Sequence, residues 1–213
     1  MDGPDRVELP EHLDRRLTTY KAVAALLLIA VWGWFAVLHG DQTPIFVYLN
    51  IAVHETGHVL FRPFGELTML IMGSGFEVLF PLLMAGYFVA FRKDIVAGSV
   101  CLGWGASALA SAATYIADAD DGKLALLGAT GPDAAGDWER ILGVEFFDKV
   151  YLADRIGGVV RSVGVVVWIA AMLLAAATVA WNAWATPRDA SAPRSTAAPA
   201  GPLRPVTDDE MWA

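Results

Sequence analysis

Charge and cysteine are what this chain of 213 residues has least of. Charged residues make up 18%, against about a quarter in a soluble domain, too few to cover a water-soluble globule of this length. The one cysteine, Cys101, stands in an apolar run, which excludes an intrachain disulfide and with it a disulfide scaffold. Basic residues are also scarce: 15 Lys and Arg face 23 Asp and Glu, a formal charge of −8. Without a basic face the chain is a poor partner for nucleic acid, and for anionic lipid by electrostatics alone. What the chain has instead is apolar residues, at 56%, and a mean hydropathy of +0.48. The composition is that of an integral membrane protein whose first partner is the lipid bilayer.

Five apolar runs follow one another, at residues 22–38, 42–61, 67–91, 95–117 and 163–184. The first is near the lower length limit for a spanning helix. It resembles the apolar part of a signal peptide, but no small-x-small cleavage pattern follows at His39-Gly40-Asp41, so it reads as a retained span. The expected fold class is an all-α polytopic membrane helix bundle of about five transmembrane helices. Gly73, Gly75 and Pro81 suggest irregular backbone, with a re-entrant stretch around 63–76 before the third span. Residues 1–20 read as a cytoplasmic N-terminal tail and 21–185 as the membrane-embedded domain. Residues 186–213, rich in Ala, Pro, Ser and Arg, read as a disordered C-terminal tail. The polar connection 118–155 contains a short amphipathic helix, residues 137–144, with Ile141, Leu142 and Val144 on its apolar side.

Five spans put the 62–66 and 118–162 connections on the side of the N-terminus. That side then holds ten of the 15 Lys and Arg residues, which predicts a cytoplasmic N-terminus. Trp32, Trp34, Trp181 and Trp184 would gather at the outer interface.

The chemistry is concentrated in His54-Glu55-Thr56-Gly57-His58. On a helix, positions i and i+4 lie one above the other, so both imidazoles address one point. Two neutral imidazoles at that spacing suit zinc. Glu55, about 100° round the helix, falls beside the open position and can take a proton from metal-activated water. Such residues within a span are costly in hydrocarbon and point to function. Asn50, one turn earlier on the same face, either orients a ligand or hydrogen-bonds to a neighbouring helix.

A zinc site needs a third protein ligand. His12 lies in the N-terminal tail and His39 on the predicted outer side, which leaves a carboxylate. Asp118 at the end of the fourth span comes first, then Asp137 in the polar connection, then Glu77 in the third span. Ser99, Gly103, Ser107 and Ser111 form a small-residue stripe on the fourth span. Packed against the second span, that stripe would carry Asp118 towards His58.

HETGHVLF inside a span resembles the membrane-embedded zinc metallopeptidases of the site-2-protease type. The asparagine-proline and leucine-aspartate-glycine pattern that supplies their aspartate is absent. HETGHVLFRPFGE at 54–66, GSGFEVLFP at 73–81, YIADAD at 115–120 and GDWERILG at 136–143 are similar to a bacterial family of small membrane HExxH proteins. That resemblance, over most of residues 45–145, implies His54 and His58 as zinc ligands, Glu55 as the catalytic residue, and Asp118 and Asp137 as the matching acids. In similar proteins a histidine often precedes the Asp-Trp pair, where Gly136 stands here. The expected function is hydrolysis of a peptide bond in a membrane or juxtamembrane polypeptide, with an edge at Gly73–Gly75 receiving the substrate. The alternatives are a non-peptidase metal protein (a carrier or a lipid-headgroup hydrolase) and a catalytically inactive scaffold.

Overall fold

The computed structural model describes residues 11–40, 44–124 and 135–185. Both tails, apart from the start of the first helix, lie outside the described residues, as does Asp133. Six α-helices and no strand are found among the described residues. They are α1 (Glu11–Gly33, continued by a π-helical stretch Trp34–His39), α2 (Pro44–Phe61), α3 (Glu66–Tyr87), α4 (Ile95–Ala117), α5 (Asp137–Leu142) and α6 (Ala153–Trp184). The architecture is the all-α polytopic bundle that the apolar runs predict.

Four of these helices, α1, α3, α4 and α6, are long and apolar enough to cross a membrane. The expected count of about five is therefore reduced. The second run does form a helix, but Asn50, His54, Glu55 and His58 take up much of its 18 residues. The expected irregular stretch at 63–76 is also corrected. A single 3-10 turn at Arg62–Phe64 and Gly65, whose φ is 97°, lead directly into α3. That helix runs unbroken through Gly73, Gly75 and Pro81, so no free backbone edge is available there.

Direction is read from side-chain pairs. In α1 and α6 the Ile29 carbonyl accepts from Trp168 Nε1 at 2.8 Å. The Val37 carbonyl accepts from Arg161 Nη1 at 3.2 Å, and Arg15 donates to the carbonyl of Ala185. The two helices are antiparallel, and the start of α1 meets the end of α6. Helix α4 is antiparallel to α6, since Gly157 abuts Ala113 and Gly164 abuts Leu109. A tight turn joins α3 to α4, with Lys93 at φ 55° and Asp94 Oδ1 capping the Ala97 N–H at 2.9 Å.

These directions overturn two expectations. The described parts of the connection 118–162 lie at the end of the bundle opposite the start of α1, not beside it. Trp32 and Trp34 near the end of α1 and Trp181 and Trp184 near the end of α6 stand at opposite ends, not in one belt. The small-residue stripe of α4 is also used differently. Gly103 receives Ile29 of α1, and α2 packs mainly on α3, through Gly57 and Gly73.

At the end where α4 finishes, Leu70, Ile116, Ala119, Ile141, Leu142 and Ala153 form a buried cluster from α3, α4, α5 and α6. Burying Ile141 and Leu142 contributes about 1.5–3 kcal/mol each, enough to dock a helix of six residues that could not persist alone. Val144, expected on the same apolar side, lies beyond the helix and is 90% exposed.

Candidate metal centre

His54 and His58 lie on the last turns of α2, where Gly57 lets α3 come close: a Cβ there would run into the Met72 carbonyl. From α3, Gly73 faces both rings. A Cβ at this position would stand 2.6 Å from His58 Nε2 and 2.7 Å from His54 Nε2. The ring centroids are 4.7 Å apart, and both Nε2 atoms turn towards one point.

The Nδ1 atoms face the other way and are held. His58 Nδ1 lies 2.9 Å from the Met69 carbonyl, which can only accept, so Nδ1 carries the proton. His54 Nδ1 donates to Glu77 Oε2 at 3.3 Å. Glu77 is buried at 4% exposure. An imidazole fixed through Nδ1 by a carboxylate or carbonyl presents the Nε2 lone pair, the usual arrangement of a metal-ligating histidine.

The third group at that point is Asp137, the first residue of α5. Its Oδ2 lies 3.0 Å from His54 Nε2 and 3.1 Å from His58 Nε2. Tyr115 of α4 positions it: the phenol donates to Oδ2 at 3.3 Å and accepts the Asp137 N–H at 2.8 Å. Trp138 Nε1 donates to Ser74 Oγ at 3.0 Å and ties α5 to α3. Glu139 reaches back to the Gly136 N–H at 3.3 Å, capping the helix start. Burial would push the Asp137 carboxyl up, but when both rings carry a second proton on Nε2 their hydrogen bonds outweigh it and hold the acid well below the usual carboxylate range.

Two Nε2 lone pairs and a carboxylate oxygen converging on one point repel one another unless a cation stands between them, either protons on both rings or a metal ion. Their separations resemble the edge of a ligand tetrahedron, about 3.3 Å for bonds of about 2.0–2.1 Å. The donor set of two imidazoles and one carboxylate is therefore a fit for zinc. Glu55 is exposed, and its carboxylate lies within 4.8 Å of the ligand atoms of both histidines.

Of the carboxylates considered as third ligand, Asp137 is the one that stands at the two imidazoles. Asp118 ends α4, and its two oxygens accept the backbone N–H groups of Lys123 at 3.0 Å and Leu124 at 2.9 Å. It closes a loop instead of facing the histidines. Glu77 supports His54 from behind. Asn50 Oδ1 accepts from Trp104 Nε1 at 2.8 Å, the interhelical role. His39 Nδ1 bonds to the Trp34 carbonyl, and His12 lies in the first turn of α1 at the far end of the bundle. Tyr115, Gly57 and the Met69 carbonyl were not legible as site elements, although Tyr115 heads the YIADAD segment. Comparison with protein-family models, curated proteins and solved structures returns no match for this chain.

Proposed function

We propose that this integral membrane protein is a zinc metallopeptidase of the HExxH type, acting on a membrane or juxtamembrane polypeptide in a bacterial inner membrane. The observation that carries the reading is the convergence of His54 Nε2, His58 Nε2 and Asp137 Oδ2, three acceptor atoms with Glu55 beside them. The resemblance of HETGHVLF to site-2-protease-type enzymes, carried by the same residues, supports it. Zinc, when bound, would supply a Lewis acid that polarises a carbonyl and makes water more acidic.

The chain's own residues do the rest. Glu77 and the Met69 carbonyl keep both rings in the tautomer that leaves Nε2 free. Tyr115 holds the Asp137 carboxylate in register with them. Exposed Glu55 takes the proton of the attacking water and passes it to the leaving amine, a role worth about 10²–10⁴-fold in rate. Because α3 is regular at Gly73–Gly75, the substrate is not received there as an added strand.

Elemental analysis of the detergent-purified protein, beside a His54→Ala, His58→Ala double variant, should find about one zinc per chain, lost in the variant. Glu55→Gln should keep the zinc and lose hydrolysis by at least about 100-fold. Hydrolysis surviving in Glu55→Gln would remove the general base. A wild-type protein without zinc after reconstitution would end the peptidase reading. Zinc retained with no peptide cleaved would point to a metal carrier, a headgroup hydrolase or a scaffold.

A further inference from the structure

Helix directions and the length of one connection together fix how α2 sits in the membrane. Arg161 of α6 donates to the Val37 carbonyl at 3.2 Å and to Thr114 Oγ1 at 2.8 Å. The end of α1, the end of α4 and the beginning of α6 are therefore at one level. Helix α3 is antiparallel to α4, since Gly98 meets Val89, and Gly105 meets Leu82. Helix α2 is antiparallel to α3, since His58 meets Met69 and His54 meets Glu77. It follows that α2 runs in the same direction as α1, the helix that precedes it.

Two consecutive helices that both cross the bilayer in one direction need a connection that returns across it. His39 and Pro44 are joined only through residues 40–43, a reach of at most about 18 Å fully extended. The hydrocarbon core is about 30 Å thick. Helix α2 therefore starts within the membrane thickness and comes back to the face where α1 ended. Only α1, α3, α4 and α6 cross, which agrees with their length and apolarity and with Arg15 meeting Ala185.

Four crossings redistribute the basic residues. On the face where α1 starts are Arg15, Arg16 and Lys21, with Arg92 and Lys93 of the α3–α4 turn. The sequence before α1 and after α6 adds Arg6, Arg188, Arg194 and Arg204. Nine of the 15 Lys and Arg residues thus belong to that face, leaving six for the face with the metal centre. The richer face is cytoplasmic by the positive-inside rule.

We infer that α2 is a re-entrant helix, and that the face it enters and leaves by, carrying His54, His58 and Asp137, is extracytoplasmic. The N-terminus remains cytoplasmic as the sequence predicts, while the site moves to the other side. The substrate class this implies, which rests on the peptidase reading above, is a polypeptide segment already exported: an outer loop or juxtamembrane end of another membrane protein.

The test places single cysteines in a Cys101→Ala background. Asp120→Cys lies in the loop after α4, and Arg92→Cys in the turn between α3 and α4. A membrane-impermeant maleimide applied to intact cells should label Asp120→Cys at least tenfold more than Arg92→Cys. Permeabilised cells should label both. A reporter fused after Ala213 that is active only in the cytoplasm should be active, and an inactive reporter would overturn the proposal even if the cysteine variants fail to fold. Labelling of Arg92→Cys alone would overturn the proposal, since both five crossings and the opposite orientation put that turn outside, and labelling of both from outside would mean that α4 does not cross. None of these readouts needs metal or hydrolysis, so failure here is separable from failure of the peptidase reading.

Discussion

Gly73 decides whether the two histidines can share a ligand. A methyl group there would overlap both Nε2 atoms, so one ring or the whole of α3 would have to move. Gly73→Ala should destabilise the protein by about 1–3 kcal/mol, as overpacking does, and should cut zinc content at least about tenfold. Gly86→Ala is the control, because a Cβ at that position meets nothing within 4 Å. Equal zinc content in the two variants would show that the approach of α3 to the HExxH turn is not needed. The His54–Glu55–His58 set was legible because its geometry is local: one helical turn brings those residues together whatever the rest of the chain does. Gly73 was legible only as a breaker. Its use here is the opposite, a gap in a regular helix that a neighbour's side chains fill.

At the scale of the element, α5 places one carboxylate, that of Asp137, against the two imidazoles. Asp137→Ala should abolish stoichiometric zinc, whereas Asp118→Ala should keep it and cost about 1–3 kcal/mol through its two lost backbone partners; zinc analysis with thermal denaturation separates the two. Retained zinc in Asp137→Ala would return the third-ligand role to another acid. The reason Asp118 looked better is instructive. It ends a long apolar helix, which ties its position to a strong sequence signal, but its own loop supplies two nearer N–H donors. Asp137 depends on contacts between distant residues, Tyr115 and Trp138 with Ser74, that spacing along the chain does not encode. Arg140 adds a pH dependence to the same element. It pairs with Glu66 and Glu145, and holds the Glu145 carboxyl below its ordinary value. A lowered folded pKa stabilises above the unfolded value, about 4.3, and the contribution fades as pH falls through the folded value. Hydrogen exchange in residues 136–149 should therefore become less protected on going from pH 6 to pH 4, and Arg140→Ala should diminish that change. An undiminished change in the variant would assign it to other groups.

Across the whole molecule, the apolar runs were sufficient for the fold class and for every spanning helix. They were not sufficient for the number of crossings, because a run of apolar residues carries length but no direction. The direction comes from Arg15 at Ala185, Arg161 at Val37 and Trp168 at Ile29, pairs separated by more than a hundred residues. The arrangement has a consequence for how the molecule holds together. His54 and Asp137 are 83 residues apart, and one belongs to the helix bundle while the other belongs to the polar connection docked on it. An ion bound between them would act as a staple across that loop, comparable to a disulfide closing a loop of similar size, roughly 4–5 kcal/mol in the chain-entropy picture. Chelation should then loosen the start of α5 while Ile141 and Leu142 keep the helix docked and the four membrane helices stay assembled, so that a bound metal would tune the local stability of this end of the bundle separately from its anchorage.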